Sequence, residues 1–163
     1  MGRHKALLDW NGEPIITAHC RTMMNAGGQV IVVLGAEVDR IQAVLPEGVQ
    51  ARINGDWATT QMADSLRAAL EGLTGSALVT PVDVPPVPRV IIDQLVNQPH
   101  PTVVCHNGVD GHPVWVHANQ TAERLGTETL ADILTDAERV EVGWPGCTVS
   151  WNTPQEWSAQ SSS

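Results

Sequence analysis

The stretch SALVTPVDVPP, from Ser76 to Pro86, joins an apolar run to one carboxylate held among prolines. A continuous apolar run of this length is typical of a strand that is covered on both faces, as in a parallel sheet. Asp83 closes the run, and the prolines on either side of it restrict its backbone. The stretch therefore predicts a buried strand with a rigidly placed carboxylate at its carboxyl end.

Helices and strands alternate on both sides of this stretch. Apolar periodicity and Pro and Gly punctuation predict helices over 14–26, 38–45, 62–73, 87–98 and 130–137, with a short one after Pro154. Apolar runs predict strands over 29–35, 49–54 and 76–83, two strands around a Gly-containing loop in 102–119, and one near Val140. This order predicts an α/β, three-layer, Rossmann-like fold with a mostly parallel sheet, helices on both faces and a small antiparallel excursion in the second half.

Length and composition limit the class of protein. The 163 residues are enough for one domain, which we expect over 1–157, with a flexible tail over 158–163. A net charge of −9 with only 9 Lys and Arg argues against binding to nucleic acid, which requires clustered cations. The 3 scattered cysteines favour reduced thiols and a cytoplasmic location, and no apolar run is long enough to span a membrane.

Ligands of open α/β sheets collect beyond the carboxyl ends of the strands. That rule selects 35–37, 54–65 and 81–86. Asp83 then either binds a hard cation such as Mg²⁺ or caps the following helix, and the sequence leaves these two roles about even. Ser65 either reads a base edge with its hydroxyl or takes part in loop and cap chemistry.

A second group of polar residues raises the possibility of a zinc site. It comprises Cys105, His106, His112 and His117, but their spacing matches none of the strong zinc patterns. The sequence also lacks a phosphate-binding P-loop and a Gly-x-Ser-x-Gly elbow, which argues against those two classes of enzyme.

Five stretches, taken in order, resemble the nucleotidyltransferases of the MobA/MocA type, which attach a nucleotide to the molybdenum cofactor. MGRHK matches the end of that family's Gly-rich loop, Leu-Ala-Ala-Gly-x-Ser-x-Arg-Met-Gly-x-x-Lys. TPVDVP resembles its metal-binding Asp motif. The others are INGDWATTQMADSLRAAL, DGHPVW and WNTPQEW, at 53–70, 110–115 and 151–157. The resemblance runs over nearly the whole chain.

The resemblance implies an Mg²⁺-dependent transfer of CMP from CTP to a molybdopterin-type cofactor, with release of pyrophosphate. It implies catalytic roles for Lys5 and Asp83, and the form of the motifs favours CTP over GTP. The implied sites are Gly2, Lys5, Asn54 and Ser65 for the nucleotide, Asp83 and Asn152 for the metal, and Gly111, His112 and Pro113 for the pterin substrate. A molybdoenzyme target is an implied partner.

The sequence departs from the family pattern in three places. The family's first strand and the Leu-Ala-Ala-Gly-x-Ser-x-Arg part of its loop have no counterpart, Gln61 stands where glycine is usual, and Ser150 stands where Asp or Asn is common. Either the natural start lies upstream or the chain is a weakened relative. Because that strand would lie centrally, we expect its neighbours to expose unpaired backbone groups, and the chain to be poorly active or to pair with another copy as a homodimer.

Two other functions remain open on the sequence. A catalytically impaired relative would bind the molybdenum cofactor and deliver it to a target enzyme. A nucleotidyltransferase of the same fold would act on a different small phosphate ester.

Overall fold

The computed structural model describes residues 4–151 and 156–157. The helices are α1 Ile15–Asn25, α2 Val38–Gln42, α3 Met62–Leu70, α4 Arg89–Leu95, α5 Ala118–Arg124 and α6 Leu130–Ile133. The strands are β1 Asp9–Trp10, β2 Glu13–Pro14, β3 Ile31–Leu34, β4 Gln50–Ile53, β5 Ser76–Val79, β6 Thr102–His106, β7 Val109–His117 and β8 Glu138–Glu141. Two 3₁₀ turns, Lys5–Leu7 and Pro145–Thr148, complete these elements.

The α/β architecture is the predicted one. The sequence did not predict α5 or the short β1–β2 hairpin, and α6 ends at Ile133 rather than continuing to residue 137. The Thr129 and Asp132 side chains form a capping box at its start, so this helix has a well-defined beginning and only a short body. The expected helix after Pro154 falls mostly outside the described residues.

The strands form separate sheets instead of one mostly parallel sheet. β3 and β4 pair in parallel, and a second sheet has the order β5-β7-β6-β8. β7 is antiparallel to both of its neighbours, and β6 is parallel to β8. The antiparallel excursion is therefore an internal strand of a mixed sheet, because the β6–β7 hairpin inserts its second strand between β6 and β5.

Helices cover both faces of the four-stranded sheet. Successive residues of a strand point to opposite faces. On β6, Val103 packs in a cluster with Leu70 of α3 and Ile133 of α6, whereas Val104 packs with Ile91 of α4. These contacts give the three layers that the sequence predicted. A third cluster, around Ile16, Cys20, Val30, Leu34 and Ile41, packs α1 and α2 on the β3–β4 pair.

Helices α1 and α3 join the two sheets, although the strands of the two sheets do not pair. Met23 of α1 contacts both the β3–β4 cluster and the cluster that includes Leu78 of β5. Helix α3 lies against β3 and also packs with Ala77 and Val79 of β5. Within the described part of the chain, β3 pairs only with β4 and β5 only with β7. Each of these two strands therefore has one edge with no partner strand among the described residues.

The open edge of β3 can be assigned to particular amides. The Asn54 N–H donates to the Leu34 carbonyl at 2.8 Å, at the end of the β3–β4 ladder. Alternate residues of a parallel strand bond to the same neighbour. Val32 and Leu34 therefore direct their backbone groups to β4, whereas Ile31 and Val33 direct theirs to the open edge.

Amide hydrogen exchange tests the open edge. We expect slow exchange at Val32 and Leu34 and exchange at least about tenfold faster at Ile31 and Val33, because only the first pair is bonded inside the sheet. The measurement is residue-resolved exchange by NMR on the isolated chain. Equal protection at all four amides would mean that another strand covers this edge in solution.

Candidate active site

Lys5 and Asp83, although 78 positions apart in sequence, form an ion pair. The Lys5 Nζ lies 3.0 Å from the Asp83 Oδ2, and both side chains remain partly exposed. The 3₁₀ turn Lys5–Leu7 presents the lysine, with His4 accepting a hydrogen bond from the Ala6 amide and Ala6 buried beneath. The structure thus places one cation and one carboxylate side by side at the carboxyl end of β5.

The backbone around Asp83 is held from two directions. The Trp151 amide donates to the Asp83 carbonyl at 2.7 Å, and the His19 Nε2 donates to the Val84 carbonyl at 3.0 Å. Trp151 is in turn packed against Trp10 and Trp157, with ring centroids 5.4 and 4.9 Å away. Trp151, which packs on Trp10, and His19 of α1 therefore hold the loop that carries Asp83.

The alternative role of Asp83 as a helix cap does not fit the structure. Helix α4 begins at Arg89, and its N-cap residue is Pro88, whose side chain accepts no hydrogen bond. The Asp83 carboxylate pairs with Lys5 instead.

Two histidines surround the same loop. Burial lowers the pKa of His19 to about 4, with the Val84 hydrogen bond and the Asp83 charge acting in the opposite direction. Burial also lowers the pKa of His112, and the negative charge of Asp83 opposes that shift. His112 lies on β7, and the Asp83 charge acts on its pKa in the direction opposite to burial.

Asn54 and Ser65 lie in a separate hydrogen-bonded group at the end of β4. The Asn54 amide nitrogen donates to the Thr60 and Ser65 hydroxyls, each at 2.9 Å. The Gln61 amide donates to the Asp64 carboxylate at 2.9 Å at the start of α3. Cap and loop chemistry thus explains Asp64 and the amide protons of Asn54, and the Ser65 hydroxyl accepts one of these protons.

Trp57 is a residue that sequence reasoning did not assign to the site. Its side chain lies over Gly35 at the end of β3, where an added Cβ would be 2.6 Å from the Trp57 Cβ. The indole remains 50% exposed, and Ile53 and Met62 of the same segment are also exposed. The sequence placed Trp57 in the selected range 54–65 and in the motif INGDW, but neither signal gave it a role.

Gly111 has a packing role that the sequence did not reveal. An added Cβ there would lie 2.2 Å from the Cys147 carbonyl oxygen, so β7 approaches the 3₁₀ turn Pro145–Thr148 too closely for any side chain. The structure places Gly111 beside His112 and Pro113 on β7, and requires glycine at this position for backbone contact.

Asp83 fits as a metal ligand of the kind that Mg²⁺ uses. That ion is commonly held by one or two carboxylates, with substrate phosphates and water completing its shell. Within residues 4–151 and 156–157, no three His, Cys, Asp or Glu side chains form a metal-binding group, which also argues against the zinc alternative. Gly2 and Asn152, the other expected phosphate and metal residues, lie outside the described residues.

The family model for the MobA-like NTP transferase domain matches residues 1–140. The chain belongs to this family. No relative among curated proteins matches the sequence. The family match makes this chain a nucleotidyltransferase, and its structure places the strand-end carboxylate Asp83 beside Lys5. No helix in the described residues is long and apolar enough to cross a membrane.

Solved structures share the fold at low identity. The manganese complex of Rv0371C from Mycobacterium tuberculosis is 20% identical, with a TM-score of 0.80, over 99% of this chain and 94% of that one. A 4-diphosphocytidyl-2C-methyl-D-erythritol synthase is 14% identical, with a TM-score of 0.74, over 97% and 92%. Molybdopterin-guanine dinucleotide biosynthesis protein A from Archaeoglobus fulgidus is 14% identical, with a TM-score of 0.66, over 97% and 89%.

The Gly111→Ala variant tests the close packing on β7. We expect it to lower the free energy of unfolding by about 1–3 kcal/mol, because the new Cβ must displace the Cys147 backbone. Gly143→Ala is the control, since a Cβ there meets nothing within 4 Å. Urea unfolding of both variants decides the matter, and equal stability would contradict the contact.

A pH series tests the burial of His19. Its ordinary pKa is 6.5 and its folded pKa is about 4, so between these values the unfolded chain binds a proton that the folded chain does not. Stability from this group is complete above pH 6.5 and falls by about 3 kcal/mol as the pH drops to 4.

The measurement is urea unfolding from pH 7 to pH 4 for the wild type and His19→Gln. The difference between the two curves of unfolding free energy against pH isolates His19, because the carboxylates and the other histidines contribute equally to both proteins. A difference that does not change with pH would show that His19 titrates normally in the folded protein.

Proposed function

We propose that this protein transfers CMP from CTP to the terminal phosphate of a molybdopterin-type cofactor, using Mg²⁺. In this reaction an acceptor phosphate oxygen bonds to the α-phosphorus of CTP. The bond from that phosphorus to the bridging oxygen breaks, and pyrophosphate leaves with the electron pair. The observation that carries the proposal is the 3.0 Å approach of the Lys5 Nζ to Asp83 at a strand's carboxyl end.

The negative charge of the triphosphate would be neutralised in part by Mg²⁺ held on Asp83 and in part by the Lys5 ammonium group. Transfer at phosphorus depends more on positioning and charge neutralisation than on covalent help from the protein. Mg²⁺ held by Asp83 would neutralise phosphate oxygens. Since the lysine occupies one carboxylate oxygen in this structure, Lys5 would exchange Asp83 for the phosphates as the nucleotide binds.

We propose a nucleoside side and a pterin side for the remaining site residues. Asn54 and Ser65 would face the nucleoside, with the Ser65 hydroxyl proton available to a base, and Gly2 would assist at the phosphates. Gly111, His112 and Pro113 would face the pterin, and Asn152 would be a second metal residue. We propose that residues 1–157 form one domain that contains both sides.

Relatives of known name support the components of this proposal. The structure of one relative is a manganese complex, which supports a divalent cation. Another is named as a molybdopterin-guanine dinucleotide biosynthesis protein, which supports the acceptor class. The cytidylyl preference rests on the Gly-His-Pro and Asn-x-Asp-Trp forms of the motifs in this chain, at 111–113 and 54–57.

A different acceptor is the second candidate. The relative named as a 4-diphosphocytidyl-2C-methyl-D-erythritol synthase has a higher TM-score than the molybdopterin relative, and its name joins a cytidyl group to another small molecule. A panel that pairs each NTP with molybdopterin and with small phosphate esters separates the candidates. The proposal expects pyrophosphate release to be fastest with CTP and molybdopterin.

Asp83→Asn tests the catalytic assignment. We expect Mg²⁺-dependent CTP turnover to fall by on the order of 10²-fold or more, because the neutral amide is a poor metal ligand. The free energy of unfolding should change by less than about 1 kcal/mol, since the partly exposed ion pair contributes little.

Asp93→Asn is the matched control, because Asp93 pairs with Arg89 on the exposed face of α4. It should leave turnover unchanged. Undiminished turnover by the Asp83 variant would remove Asp83 from the site. If calorimetry found that the wild type binds the pterin without any Mg²⁺-dependent affinity for CTP, the protein would be a cofactor-binding protein instead.

A further inference from the structure

His19 joins helix α1 to the loop of Asp83. It belongs to the buried face of that helix, with only 4% of its surface exposed. Its Nε2 lies 3.0 Å from the carbonyl of Val84, the residue that follows Asp83. The contact spans 65 positions of sequence and ends one residue from the proposed metal ligand.

The chemistry of this contact fixes the state of the imidazole. A carbonyl oxygen can only accept, so the Nε2 must carry the proton and the Nδ1 must be bare. Among the described residues the Nδ1 is buried and has no hydrogen-bond partner. A buried acceptor without a partner lowers stability, so a leucine would be more favourable if the position had only to fill apolar space.

The two carbonyls after the carboxylate are held by different elements. Trp151 donates to the Asp83 carbonyl, and His19 donates to the Val84 carbonyl. Two fixed peptide planes on either side of Val84 leave its backbone little freedom to rotate. The Asp83 backbone therefore depends on both bonds for its direction.

We propose that His19 is a positioning residue that donates to the Val84 carbonyl and thereby aims the Asp83 carboxylate at the metal–nucleotide. This inference rests on the function proposed above. Metal affinity typically falls by about 10–100-fold when a group that orients a metal ligand through hydrogen bonds is lost. A residue that only fills space would change stability without this loss of affinity.

Two amide substitutions separate these roles. In His19→Gln the amide nitrogen is as many bonds from the Cα as the Nε2 is, so it can still reach Val84. In His19→Asn the amide nitrogen is one bond closer and cannot. Both replace a ring by an uncharged amide, which makes them a matched pair.

The experiment measures binding of Mn²⁺ with a non-hydrolysable CTP analogue by electron paramagnetic resonance, at pH 7.5. We expect His19→Gln to bind within about threefold of the wild type and His19→Asn to bind at least about tenfold more weakly. Urea unfolding establishes that each variant is folded at the temperature used. Equal affinity of the Asn and Gln variants would overturn the proposal.

Two further measurements keep the test decisive. If the Asn variant does not fold, His19→Leu replaces it, and wild-type affinity in the Leu variant would overturn the proposal. In the wild type, a long-range ¹H–¹⁵N NMR spectrum should show the Nε2–H tautomer, and an Nδ1–H tautomer would overturn the proposal whatever the variants do. Failure of the wild type to bind Mn²⁺ with the CTP analogue would instead overturn the proposed function, and this inference with it.

Discussion

The contact between Lys5 and Asp83 is the constraint on which the rest of the site depends. It joins the first described turn of the chain to the carboxyl end of β5. A partly exposed ion pair adds little to stability by itself, so its importance lies in placement. Trp151, His19 and the prolines fix the carboxylate side, while the buried Ala6 anchors the lysine side. The remainder of the fold holds these two side chains in one place.

The open edges of β3 and β5 belong to the two strands that end near the candidate site. Both strands end near the predicted ligand positions, yet each pairs on one side only within residues 4–151 and 156–157. Helices α1 and α3 hold the two sheets together through side chains instead of through backbone bonds. Such an arrangement leaves the supports of Lys5 and Asp83 linked mainly by packing, which makes the buried face of α1 and its bond to Val84 more important.

The sequence predicted those parts of the fold that depend on local signals. Pro14 and the glycines after Ala26 marked the ends of α1, and the apolar run before Asp83 marked β5 and its carboxylate. It could not predict that β7 lies between β6 and β5, because pairing partners are chosen by distant contacts. His19 was missed because a single histidine in an apolar helix resembles any buried residue. The packing of Gly111 on Cys147 was missed because two distant backbones meet there.

We propose that Asp83 and Lys5 act on one nucleotide triphosphate. A crystal structure with Mn²⁺ and a non-hydrolysable CTP analogue tests it most directly, because the anomalous signal of manganese locates the ion. We expect the ion to lie on the Asp83 carboxylate and the Lys5 Nζ to have moved from Asp83 to a phosphate oxygen. A nucleotide bound elsewhere, with the Lys5–Asp83 pair still closed, would contradict it.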